Sequence, residues 1–126
     1  MQPRISWRIF QFGSHCNKEC QKIRKRRRTD WPQIVAIMQK LSVAGTIRNE
    51  DQFKHEFDDI YAIKSRRGIR ALGKLENRGL AGSLPVFVVL NWFQKRRQSL
   101  NKDEVKRARS RREEFEQFVL EHGNEN

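Results

Sequence analysis

Residues 86–97, VFVVLNWFQKRR, constrain the fold more than any other stretch of the chain. A continuous run of Val, Phe and Leu, bounded by Pro85 and by charge, is the pattern of a β-strand covered on both faces. The run ends in Gln94, Lys95, Arg96 and Arg97, so a strand that must be buried carries a dense knot of cations at its end. A rigid strand end can hold positive groups at fixed positions against a phosphate, whereas a disordered basic tail only attracts one.

The rest of the composition narrows what this strand serves. A chain of 126 residues has room for one core, so residues 1–126 read as a single domain. Against 15 Asp and Glu stand 27 Lys and Arg, a net charge of +12, which implies a broad positive field and a polyanionic partner, nucleic acid first. A membrane partner is not expected, because no apolar run approaches the roughly 20 residues of a spanning helix and the start lacks a signal-peptide core. A cytoplasmic location follows. Cys16 and Cys20, four apart, fall on one face of a helix and suit free thiols in a reducing compartment. With His15 they fall short of the four ligands of a closed zinc site. No metal or cofactor is expected, since GxxxxGK[ST] and GxSxG are absent and the acidic pairs Asp58-Asp59 and Glu113-Glu114 are adjacent rather than facing.

Charge is unevenly distributed. Residues 22–28, KIRKRRR, belong to a basic N-terminal helix over about 14–28, residues 102–112 form a second basic block, and the tail from about 113 to 126 holds five glutamates and no Lys or Arg. Within KIRKRRR, Lys25, Arg26, Arg27 and Arg28 are candidate nucleic-acid contacts; the plainer reading is a solvated helix face or a disordered arm.

The remaining elements follow from periodicity and turn chemistry. Residues 5–12 alternate and read as a first strand ended by Gly13, with Ser14 as a cap for the basic helix. Thr29 or Asp30, followed by Trp31-Pro32, starts a second helix whose Ile34, Ile37, Met38 and Leu41 form its apolar stripe, closed near Gly45. Phe53 and Phe57, at i and i+4, predict a short helical turn over about 50–57. Residues 60–65 and 69–75 alternate around the Arg67-Gly68 turn and predict a hairpin, and residues 77–83 a loop. Ser99 or Asn101 caps a last helix with a Val105, Ala108, Phe115, Val119 stripe. Trp31 reads as a helix-entry staple, and Trp7 and Trp92 as core or edge residues.

Four segments, taken in order, resemble the RelE/HigB toxins of bacterial toxin–antitoxin pairs, in particular their phage-related branch. They are Tyr61-Ala62-Ile63-Lys64, Ile69-Arg70-Ala71-Leu72, Val89-Leu90-Asn91-Trp92-Phe93-Gln94-Lys95-Arg96, and residues 104–111, EVKRARSR. They are similar to that branch's "YELK", "xRxL", "VLLHxFxKK" and "EIxxAxxR" motifs, and the likeness covers about residues 45–118. It implies an α+β fold, a small antiparallel sheet with N-terminal helices packed on one side and a C-terminal helix. It also implies a ribosome-dependent mRNA endoribonuclease that inhibits translation, neutralised by a cognate antitoxin, often of helix-turn-helix type.

Cleaving RNA through its own 2′-hydroxyl needs a base, a clamp for the anionic phosphorane and a proton for the leaving 5′-oxygen, with no metal. The resemblance assigns Arg70 to the clamp, where its planar fork suits two phosphate oxygens. Lys64, among cations that lower its pKa, is the candidate base, and Lys95 the candidate acid, with Arg96 restricted to stabilising charge. Arg67, Arg97 and Arg111 are further candidate RNA contacts; Arg111, beside the apolar stripe, is equally a structural anchor. Many family members carry Tyr or His near the C-terminal end, where this chain has Phe115, Phe118 and His122. The alternative is therefore a non-catalytic nucleic-acid-binding or regulatory module with a toxin-like fold.

Overall fold

The computed structural model describes residues 8–81, 84–96 and 100–122; Trp7 and Arg97 lie outside them. The order is β1 (Arg8–Gln11), α1 (Ser14–Arg26), α2 (Trp31–Ala44), β2 (Phe53–Phe57), β3 (Ile60–Lys64), β4 (Ile69–Ala81), β5 (Leu84–Gln94) and α3 (Lys102–His122). The five strands form one sheet in the order β1-β5-β4-β3-β2. Three pairings are antiparallel, but β1 lies parallel to β5, so the sheet is mixed rather than wholly antiparallel.

Burial of β5 on both faces organises the molecule. Residues 86–93 are all buried, and their side chains divide between two cores. Phe87, Val89 and Trp92 pack with Cys16, Cys20, Ile34, Ile37 and Leu41 of α1 and α2. Val86, Val88, Leu90 and Phe93 pack on the other face with Ala108, Phe115 and Val119 of α3. A β-bulge opposite Leu72 and Gly73 puts Leu90 and Asn91 in succession without breaking this division. Each fully buried aliphatic or aromatic side chain contributes about 1.5–3 kcal/mol, so β5 supplies a large share of the stability. Gly73 is required beside it, because a Cβ there would strike the Val88 carbonyl and the Phe87 ring.

Several expectations give way to tertiary context. The segment expected as a helical turn over 50–57 is strand β2, paired with β3. A bulge between His55 and Phe57 sends Phe53 into one core and Phe57 towards the other, so their spacing of four did not report a helix. The β2–β3 turn is Asp58-Asp59, with Asp58 left-handed at φ 48°. The expected loop over 77–83 is instead largely strand: β4 continues to Ala81, which pairs with Leu84. Ser14 does not cap α1 but begins it, after Gly13 at φ 91°. Asp30 does sit at the N-cap of α2, yet its carboxylate binds Arg27 at 2.6 Å instead of the helix. Gly45, left-handed at φ 78°, closes α2 as expected, and Asn101 caps α3 by accepting from the Asp103 N–H at 2.8 Å.

A charged network fixes α3 to the sheet. Lys74 and Glu76, 6 % and 2 % exposed, point from β4 into the α3 face. Lys74 Nζ donates to Glu116 at 2.8 Å, Arg78 bridges Glu76 and Glu116, and Arg112 forks onto Asp59 at 2.5 and 2.8 Å. The hydrogen bond from Arg112 lowers the Asp59 pKa, and that from Arg78 lowers Glu76. Burial would raise Glu116, but hydrogen bonds from Lys74 and Arg78 outweigh it. Carboxyls with lowered folded-state pKa stabilise above their unfolded values and lose that contribution as pH falls through the folded ones. Thermal unfolding followed by circular dichroism should therefore show Tm falling below about pH 5. Glu76→Gln should lower Tm at pH 7 and flatten this acid limb; an unchanged limb would place the acid sensitivity elsewhere.

Candidate functional site

The predicted cations gather where β3 ends, β4 begins and β5 ends. Lys64 and Arg70 are direct partners across β3 and β4, and Arg70 is the partner of Phe93 across β4 and β5. Lys64, Arg70 and Phe93 thus form one row on the face that carries α3, because alternate residues of a strand share a face.

The turn that joins β3 to β4 is what sets this row. The Ser65 N–H donates to Ile69 O at 2.9 Å, and the Ile69 N–H to Ser65 Oγ at 3.0 Å. Gly68, at φ 93°, lies so close to β5 that a Cβ would sit 2.7 Å from Lys95 O and closer still to Gln94 Nε2. The Lys95 N–H donates to Gly68 O at 2.7 Å, and Gln94 Nε2 to Arg67 O at 2.6 Å. These bonds lock the end of β5 to the turn and bring Lys95 close enough to Lys64 for their charges to interact, with Arg96 next along the chain.

Arg70 is positioned without being neutralised. Its Nη1 donates to Ser65 O at 2.9 Å and Ile69 O at 3.1 Å, while its buried Nε has no hydrogen-bond partner among the described residues. Among the described residues, no carboxylate pairs with Lys64, Arg70, Lys95 or Arg96, although Arg27, Arg78, Arg107, Arg111 and Arg112 all have one. Burial lowers Arg70's pKa, from a starting value so high that the group stays charged. Burial also pulls Lys64 below the ordinary lysine value, assisted by Arg70, Lys54 and Lys95 and opposed by Glu56. The result is a fixed, half-buried guanidinium beside an amine whose neutral form is made more accessible.

The other candidates separate into distinct environments. Arg67, 73 % exposed along its side chain, makes a long contact of 3.6 Å with Asp30. KIRKRRR divides around α1: Ile23 is buried, Arg26 lines a cleft shared with α3, Arg27 is bonded to Asp30 and to Arg67 O, and Lys25 and Arg28 lie on the opposite flank near Trp31. Arg111 is committed to the fold. It forks onto Glu19 of α1 at 2.7 and 3.0 Å and donates to Leu90 O at 2.9 Å, while Glu19 accepts from the Trp92 N–H at 3.1 Å.

Apart from Phe93, which belongs to the row, the candidate aromatic and thiol groups lie elsewhere. Tyr61 stacks on Phe53 in the α1–α2 core, and Phe115 packs against Phe12. His122 sits on Phe118 at the far end of α3. Cys16 is fully buried, and burial, then Glu19, push its thiol up to about 12, so it is a packing residue. Trp92 is core, its ring tilted against that of Trp31 with centres 5.4 Å apart. No helix is long and apolar enough to cross a membrane among the described residues.

Sequence reading missed Glu19, Lys54 and Phe93, whose roles arise from contacts across the fold. No family model matches the chain, and no curated protein matches it.

The Glu19–Arg111 pair carries a stability test. Glu19→Ala leaves a mostly buried guanidinium uncompensated and the Trp92 N–H without its acceptor, and should cost about 3 kcal/mol in denaturant unfolding. A cost near zero would show that the pair does not hold the β5 edge.

Proposed function

We propose that the protein is a metal-independent endoribonuclease of the RelE/HigB kind, the toxin of a toxin–antitoxin pair that cuts mRNA in the ribosome. The observation that carries this reading is the direct pairing of Lys64 with Arg70 on adjacent strands, with no carboxylate in ion-pair contact with either among the described residues, although both feel the charge of Glu56. Simple attraction to RNA does not require such placement; holding one phosphate does.

In this mechanism Arg70, steadied by Ser65 O and Ile69 O, clamps the non-bridging oxygens of the scissile phosphate. Neutral Lys64 accepts the proton of the 2′-hydroxyl as that oxygen attacks phosphorus. The bond to the 5′-oxygen breaks, Lys95 donates the proton that oxygen needs, and a 2′,3′-cyclic phosphate is left. Arg96, exposed at the end of β5, stabilises the negative charge that develops. The partners on this reading are mRNA, the ribosome and a cognate antitoxin, in the cytoplasm.

A second reading has its own support. The row holds no His or Tyr, since Tyr61 lies on the other face and His122 at the far end of α3. A non-catalytic RNA-binding or regulatory module would show the same cations without the proton transfers.

Mapping mRNA 5′ ends in a reconstituted translation reaction separates the two. The nuclease cuts at fixed codon positions only with ribosomes present, and Arg70→Ala should lower cleavage about 100- to 1,000-fold. Binding of bulk RNA should change far less. Lys64→Arg, which keeps charge but cannot act as a base, should lose cleavage and abolish the rise in rate with pH through the Lys64 titration. Absence of cuts by the unmodified protein, with salt-dependent RNA binding intact, would leave the binding module.

A further inference from the structure

A cleft of about 820 Å³ runs between α1 and the start of α3, along the edge of β5 that β1 leaves open. Its walls carry Lys22 and Arg26 from α1 and Arg27 just after it, Arg107 and Arg111 from α3, and Arg96 from the end of β5. The two carboxylates in it are already engaged, Glu19 by Arg111 and Glu104 by Arg107 at 2.6 Å. Lys22, Arg26 and Arg96 are exposed and have no ion pair among the described residues. Part of the floor is Trp92, 2 % exposed, whose indole Nε1 is a buried donor without a partner.

This cleft adjoins the strand pair that carries Arg70. Phe93 lines it and is also the cross-strand partner of Arg70, and Arg96 borders both this cleft and the depression in front of α3. Lys22 and Arg26 are one helical turn apart, about 6 Å along the axis, a separation that suits successive phosphates of an extended strand. An acidic protein segment would find the same charges, but nothing would tie it to the Arg70 row, whereas an RNA strand presenting one phosphate to Arg70 has to continue somewhere.

We propose that the α1–α3 cleft is a single-stranded RNA track that grips the chain beside the phosphate held by Arg70, through Lys22, Arg26 and Arg96. The inference rests on RNA being the ligand of the Arg70 row, and does not require that the RNA be cut.

Fluorescence anisotropy with a labelled, single-stranded 2′-O-methyl RNA oligonucleotide tests it, because that RNA lacks the hydroxyl needed for cleavage. Lys22→Ala/Arg26→Ala should weaken binding about tenfold and reduce the slope of log affinity against log salt by about 1.4. Arg24→Ala/Lys40→Ala removes the same charge from surfaces of α1 and α2 that do not line the cleft and should change affinity less than about twofold, since no tracked phosphate is lost. All four side chains are exposed, and circular dichroism checks that both variants fold. Equal losses in the two variants would mean a diffuse field and overturn the track, as would no loss in the first. Tighter binding of a polyglutamate peptide than of RNA, lost in the first variant, would give the cleft to an acidic protein and overturn it as well. If the unmodified protein never cuts mRNA yet the first variant loses RNA affinity, the nuclease reading fails and the track stands. If it cuts and the first variant binds like the unmodified protein, the track alone fails.

Discussion

Strand β5 is the central constraint, because it is buried on both faces and loses its neighbour on one edge halfway along. Parallel pairing with β1 stops at Gln11 and Val89, and the Phe12 N–H makes the last backbone bond to Val89 O. From there the open edge has donors and acceptors that a buried strand must satisfy. Arg111 supplies the donor for Leu90 O, and Glu19 the acceptor for the Trp92 N–H, while the two side chains neutralise one another. A single ion pair therefore does the work of a missing strand, and it does so by reaching from α1 to α3 around the edge of the sheet. The two layers of helix are joined there as well as through the core.

The cations of the candidate site depend on that frame. Because β5 is held in place, the Gly68 turn can dock on Gln94 and Lys95, and the Lys64–Arg70 pair is presented beside the strand's basic end. The charged groups of this small domain fall into two kinds. One kind is consumed by structure: Lys74, Arg78 and Arg112 fasten α3, and Arg111 closes the edge. The other kind, Lys64, Arg70, Lys95 and Arg96, makes no ion pair among the described residues, and Arg70 is held by backbone carbonyls instead. A net charge of +12 cannot distinguish them; their partners do.

Legibility in the sequence followed the range of the interaction that decided each feature. The buried strand at 86, the α2 stripe of Ile34, Ile37 and Leu41, the Gly45 stop and the Asn101 cap all depend on neighbours within a few residues, and all are present. Strand β2 was obscured because a bulge changes the period of its apolar residues, leaving Phe53 and Phe57 at a helical spacing. The length of β4 was obscured by Gly79 and Gly82, which signal a loop when read locally, whereas pairing with β5 extends the strand to Ala81. Arg111 could not be assigned between RNA and structure, since its partner Glu19 lies 92 residues away.

By itself, the sequence determined that there is one buried strand with a basic end, a basic N-terminal helix, the amphipathic helix that follows it and a C-terminal helix, a β-hairpin that sets Lys64 near Arg70, and a strongly positive surface. These are consequences of periodicity, turn chemistry and charge count, which act locally or as sums. Tertiary structure alone decided that β1 runs parallel to β5, that α1–α2 and α3 cover opposite faces, and which arginines are spent on carboxylates. It also opened the cleft between α1 and α3. Those outcomes depend on which distant groups meet across the sheet, and the free energy that selects them exists only once the chain has closed on itself.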